Sequence, residues 1–286
     1  MQKHAPPAKF TAAMKRGFSL VELSIVLVIL GLLTGGILAG QSLIRAAEMR
    51  SVNTEYSKYT TAIYSFRDKY FQLPGDMNNA TRFWGAQTGA TTDGVVTACA
   101  ALTVGATDTS TCNGDGDGKI APETTPATGL ADRLQYYEVF RAWQHLANAG
   151  LIEGRYGGVS SAGRTDISNI IIGTNQPASR SGNSVTWGLR YIVPGYDYPT
   201  FYTPNPYGNV LTAGANSSPY NGSGPFLKPD EAWNIDTKFD DGKPGLGNVI
   251  TYQSVVNPDC MTADSQTADY KLTSSTVACA LIIRLP

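Results

Sequence analysis

Histidine is almost missing from this chain: there are two in 286 residues, and only His145 lies beyond the first seventeen positions. Cysteine is scarce too, four in all, with no Cys-x-x-Cys pair. These shortages argue against a zinc site, which needs clustered thiolates and imidazoles. No glycine-rich phosphate-binding loop is present. No serine or cysteine stands out as a partner for His145, which reads as a surface or internally satisfied helix residue. No catalytic residue is expected, and the chain reads as a non-enzyme. Proline is absent from residues 18 to 73, so nothing there need break a long helix.

Net charge is also small, −1, but it is unevenly spread. Residues 1–17 hold Lys3, Lys9, Lys15 and Arg16 and no acid, whereas the remainder is acidic. That acidic balance argues against nucleic acid as a partner. The four cysteines fall into two sequence-local pairs, Cys99 with Cys112 and Cys260 with Cys279. Two disulfides in an oxidising compartment fit this pattern, and buried free thiols are the alternative.

Residues 18–40 read FSLVELSIVLVILGLLTGGILAG and carry one charge, Glu22. At 1.5 Å per residue the segment is about 34 Å long, enough to cross a bilayer core. The basic flank should stay cytoplasmic, which exports the C-terminal bulk. A plain anchor or a signal cut near Ala39 would use the same apolar run. Neither explains Glu22, since a lone acid in a bilayer span costs about 3 kcal/mol or more. Phe18 and Glu22 lie four apart, on one helical face. A cut between Gly17 and Phe18 would create an α-amine at the helix start. The Glu22 carboxylate of one copy could then pair with the amine of a neighbour, so the acid implies a partner, most simply another copy.

Lys15-Arg16-Gly17-Phe18-Ser19-Leu20-Val21-Glu22, followed by the apolar run, resembles the signal of type IV prepilins and of the pseudopilins of type II secretion. The sequence-specific likeness covers residues 15 to about 84. It implies cleavage after Gly17 by a prepilin peptidase and N-methylation of Phe18. It further implies self-assembly through Glu22, other pilin-like subunits, and an inner-membrane assembly platform with its ATPase. By this resemblance the chain starts in a bacterial inner membrane with a periplasmic head, then enters a pseudopilus or pilus. A minor or tip subunit, or a membrane-anchored calcium-dependent adhesive protein, is the alternative.

The expected fold is α+β: a long N-terminal helix on a C-terminal antiparallel sheet head with large loops. Residues 1–17 form the leader, 18–73 the long helix (18–40 transmembrane before assembly) and 74–286 the head. Met49, Val52, Tyr56, Tyr59, Ile63, Phe66 and Tyr70 recur at steps of three and four, one apolar stripe. Leu73-Pro74-Gly75-Asp76 should end the helix and lead into a short helix capped by Asp76 or Asn78. Phe83 and Trp84 should fold back onto the stem. A second helix is expected over 130–151, with Gly150 as its C-cap. Strands are expected over Val185–Val193 (half-buried), 248–256 and 275–285, with a weaker one at 170–172. Residues 194–229, rich in Pro, Gly and Tyr, read as a long irregular loop for coverage of the head, for subunit contact, or for binding a glycan or host surface.

Two acidic segments are candidate calcium ligands. Asn113, Asp115 and Asp117, with Gly118 sixth and Ile120 eighth, match the start of a calcium loop. The twelfth position is Thr124, and Glu123 lies one place early. A plain Gly-Asp turn is the alternative. Asp236, Asp240 and Asp241 form the second segment, since close acids repel unless something neutralises them.

Overall fold

The computed structural model describes residues 19–86, 109–120, 137–158, 170–182, 184–192, 207–216, 224–253, 259–263 and 265–285. The chain divides into two compact units, Met1–Ala46 and Ala47–Pro286. Helix α1 is Leu20–Tyr70.

In the first unit, α1 is apolar all round and long enough to cross a membrane. Its large side chains stay exposed, from Leu20 at 86% to Ile44 at 62%. Such a surface is incompatible with water and needs lipid or another helix. The few hydroxyls are satisfied within the helix: Ser24 Oγ donates to the Val21 carbonyl, Thr34 Oγ1 to Leu30 and Ser42 Oγ to Ala39. A bilayer span requires that internal pairing.

In the second unit, α1 becomes amphipathic and buries Val52, Glu55, Tyr59, Ala62, Ile63 and Phe66. The expected stripe is present, with Met49, Tyr56 and Tyr70 half-buried at its edge. Tyr59 packs edge-on against Trp143 at 5.0 Å and Trp187 at 5.6 Å between ring centroids. The helix stops at Tyr70, and Phe71 turns left-handed with φ 58°. Phe83 and Trp84 do return to the stem, 5.2 and 5.5 Å from the Tyr70 ring. The short helix α2 is Thr81–Trp84. Neither Asp76 nor Asn78 caps it: Asn113 Oδ1 reaches across and accepts from the Thr81 amide at 2.9 Å.

Helix α3 is Tyr137–Asn148, and the earlier start expected at 130 falls outside the described residues. Its end is a Schellman turn: the Gly150 amide bonds to Ala147, and the Leu151 amide to Leu146. Gly150 has φ 73°, which a glycine adopts without strain. Four antiparallel strands follow in sheet order β1-β2-β4-β3. They are β1 Val185–Ile192, β2 Gly208–Ala215, β3 Val249–Gln253 and β4 Cys279–Arg284. Leu189, Leu211, Ile283 and Val249 stand in one cross-strand row and face the main core with α1 and α3.

Several expectations are corrected here. β1 is buried on both faces rather than one, because Ile192, Tyr207, Val210, Ile250, Ala280 and Ile282 form a second cluster. Residues 194–229 are not one irregular loop: they hold β2, an interior strand, and the start of helix α4, Pro229–Phe239. Ile170–Ile172 makes no strand, only an isolated bridge from Ile172 to Gln176.

Candidate functional site

The N-terminal site lies in the first unit. Gly17 and Phe18 fall outside the described residues. Ser19 precedes α1 and Glu22 is its third residue, so Ser-x-x-Glu stands as a capping box. Ser19 Oγ accepts from the Val21 amide at 3.2 Å, and Glu22 Oε2 accepts from the Ser19 amide at 2.9 Å. Amides at a helix start lack intrahelical acceptors, and an acid there also complements the helix dipole. Within one copy, Glu22 therefore already has a local partner. The Ser19-Leu20-Val21-Glu22 pattern carried that signal.

The acids of the second unit are placed differently from the calcium-loop expectation. Asn113 Oδ1 is used as the cap of α2. Asp117 Oδ1 accepts from the Lys119 amide at 2.8 Å, and Asp117 pairs with the Lys119 ammonium at 3.1 Å. Glu123 lies outside the described residues. Asp115 instead meets Asp76 and Glu138, one carboxylate oxygen of each lying within 4.8 Å of the others. Neither partner was marked by the sequence as a ligand: Asp76 looked like a cap, and Glu138 sits in the first turn of α3.

This cluster is held by backbone contacts from three segments. The Gly114 amide donates to the Met77 carbonyl at 2.8 Å. The Gly118 amide donates to Asp76 Oδ2 at 3.1 Å, and the Asp115 amide to Glu138 Oε1 at 3.1 Å. A Cβ at position 114 would collide with the Asp76 backbone, so only glycine fits there. Burial pushes the Asp76 carboxyl up to about 6, against the pull of the Gly118 amide, with Asp115 and Asp117 adding repulsion.

His145 fixes the turn that carries Asp76. Its ring is fully buried, and Nδ1 accepts from the Gly75 amide at 3.0 Å. An amide can only donate, so the proton of the neutral ring sits on Nε2, facing Thr111 Oγ1 at 3.1 Å. Thr111 Oγ1 donates its own hydrogen bond to Gln144 Oε1 at 2.6 Å. The residue is thus satisfied and buried rather than on the surface.

Burial, with Arg141 nearby, lowers the His145 pKa from 6.5 to about 3. The unfolded chain binds a proton below 6.5 that the folded chain refuses. This group's contribution is therefore complete above pH 6.5 and fades as pH falls toward 3. A His145→Gln variant should lose its disadvantage against the wild type by up to about 1.4 kcal/mol per pH unit below that point. Denaturant melts of both proteins from pH 8 to 4 would check it, and a constant gap across that range would refute it.

Asp236, Asp240 and Asp241 also come together. Sequence reading took all three for candidate calcium ligands in an acidic turn, but Asp236 belongs to α4. Its Oδ1 accepts from the Gly242 amide at 3.1 Å and its Oδ2 from Tyr270 Oη at 2.8 Å. Burial raises the Asp236 carboxyl to about 7 despite those bonds. Asp240 accepts from the amides of Asn248 and Val249. Asp241 Oδ1 accepts from the Lys243 amide at 2.8 Å. The three acids fold the turn between α4 and β3.

Cys260 and Cys279 are bonded to each other, with 5.1 Å between Cα atoms, and this ties the start of β4 to the preceding segment. Bridges of this kind contribute about 2–4 kcal/mol. Cys112 is disulfide-bonded too, and its expected partner Cys99 lies outside the described residues.

Residues 13–38 match the family model described as the prokaryotic N-terminal methylation motif. The chain carries the prepilin-type signal of type IV pilins and pseudopilins. With the apolar helix behind it, this signal supports a pilin-like subunit anchored in a membrane before assembly. No curated protein and no solved structure matches the chain.

Proposed function

We propose that this chain is a structural subunit of a type IV pilus or pseudopilus and acts by polymerising rather than by catalysis. A prepilin peptidase cuts after Gly17 and Phe18 is N-methylated. The apolar part of α1 then leaves the inner membrane for the filament core, and Glu22 meets the Phe18 amine of a neighbouring copy. Other pilin-like subunits and the assembly platform, with its ATPase, complete the machinery. The head faces the periplasm before assembly.

The observation that carries this reading is the exposed apolar surface of α1, Leu20 to Ile44, most of which lies within the matched residues 13–38. A membrane covers that surface before assembly, and helices of other copies cover it afterwards. Mass spectrometry of the protein recovered from its source should find N-methyl-Phe18 as the first residue. An intact Met1 or a terminus near Ala39 would sink the proposal.

A further inference from the structure

We propose that Asp76, Asp115 and Glu138 form a binding site for one divalent cation of the calcium type, joining the turn before α2, the 113–120 segment and the first turn of α3. The proposal is independent of the filament reading, because every residue it uses lies in the second unit.

Geometry is the first support. A calcium ion takes oxygen ligands at about 2.4 Å, so two ligands on opposite sides of it lie about 4.8 Å apart. The three carboxylates present oxygens within 4.8 Å of one another, a span one ion can bridge.

Asp76 supplies the second support. It is only 3% exposed, and its Oδ1 accepts no hydrogen bond of normal geometry. A buried carboxylate oxygen with only the weak pull of the Gly116 amide is expensive, and a cation removes that cost. The other acidic cluster offers the contrast. There, both oxygens of Asp236 are taken by Gly242 and Tyr270.

Charge and donor chemistry set the class of ligand. Among the described residues, the segment brings together Asp76, Asp115, Asp117 and Glu138, with Lys119 and Arg141 near them. Lys119 is engaged with Asp117, and Arg141 donates to the Asn113 carbonyl. Carboxylates gathered this closely suit a doubly charged ion. The donors are all hard oxygens, and the neighbouring imidazole of His145 is already committed to the Gly75 amide. That favours calcium over zinc or copper. Asp115 is exposed, so water can complete the coordination shell.

The site differs from the loop that the sequence resembles. Of its expected ligands that are described, Asn113, Asp115 and Asp117, only Asp115 takes part, and Asp76 and Glu138 come from outside the loop. The ion would clamp three segments rather than fill one loop.

The test uses the full-length chain in detergent, stripped with chelator and titrated with calcium chloride. Bound calcium is counted by equilibrium dialysis, and unfolding is followed by heating. The wild type should melt about 5–10 °C higher at calcium a hundredfold above its dissociation constant. Asp115→Asn, a change at an exposed position that should leave the fold intact, should bind one calcium fewer and lose that rise. Asp241→Asn should keep both. A wild type whose melting ignores calcium would overturn the proposal, and so would an Asp115→Asn chain that binds as much calcium as the wild type.

Discussion

Glu55→Ala should destabilise the head by about 3–5 kcal/mol, although the alanine is a better helix former at that position. Glu55 sits in the middle of the apolar stripe of α1 and is only 8% exposed. Its Oε2 accepts from Ser179 Oγ at 2.6 Å and from Trp187 Nε1 at 2.7 Å. Its Oε1 accepts from the Arg180 amide at 2.8 Å. One side chain thus ties the helix to β1 and to the segment before it. Alanine would leave the buried indole and the Arg180 amide without an acceptor, at about 1–3 kcal/mol each, and would open a cavity beside them, while Ser179 Oγ could still turn to Ser181 Oγ at 2.8 Å.

Two further variants separate these causes. Glu55→Gln keeps the volume but only one acceptor oxygen, so it should fall between alanine and the wild type. Glu55→Ala combined with Trp187→Phe removes the orphaned indole donor. It should cost less than the sum of the single changes, because the two sites are directly bonded. Denaturant unfolding of these three proteins, of Trp187→Phe alone and of the wild type measures all of this. A loss below about 1 kcal/mol for Glu55→Ala would mean that water replaces the carboxylate freely, against the burial seen here.

The stripe on α1 was legible because helical periodicity needs no tertiary knowledge: Val52, Tyr59, Ile63 and Phe66 are buried as their spacing implies. Glu55 was not legible, since its partners lie more than 120 residues away and no local rule marks them. β2 was hidden by composition. Gly208–Ala215 reads GNVLTAGA, a run of small residues within a Pro- and Tyr-rich stretch, and only pairing with β1 and β4 makes it a strand. Tertiary context overrides propensity most easily in such segments.

Helix α4 was a missed signal rather than an absent one. Pro229 at the first helical position and Glu231 at the third mark a helix start, and Glu231 Oε2 does accept from the Lys228 amide at 2.8 Å. The acidic sites were legible only in part for a related reason, since Asp236, Asp240 and Asp241 do come together. A spacing rule can align Asn113, Asp115 and Asp117, but it cannot know that Asn113 is used as a cap or that Asp76 and Glu138 arrive from elsewhere.

Glu22→Ala should abolish filament formation, lowering the assembled fraction by two or more orders of magnitude. Two local roles of Glu22 must be separated to interpret that result. In one copy the carboxylate closes a capping box on the Ser19 amide. Losing a cap costs about 1 kcal/mol, which weakens the helix start but would not by itself prevent assembly. In the proposed filament, the same carboxylate meets the ammonium created by cleavage before Phe18. That ammonium sits at the positive end of a helix, where the dipole disfavours it, and in apolar surroundings, where desolvation disfavours it further. Removing its counter-charge leaves an unpaired buried ion at every subunit contact, at about 3–5 kcal/mol, or roughly 10²–10⁴ in each association step.

Glu22→Gln discriminates between the roles. Glutamine can still accept from the Ser19 amide but carries no charge. If the ion pair drives assembly, the Gln chain should fail as badly as the Ala chain, while both are still cut and methylated at Phe18. Counting filaments by electron microscopy and measuring the pelletable fraction decide the matter. Normal filaments from the Gln chain would reduce Glu22 to a helix cap and remove the charge-pair mechanism.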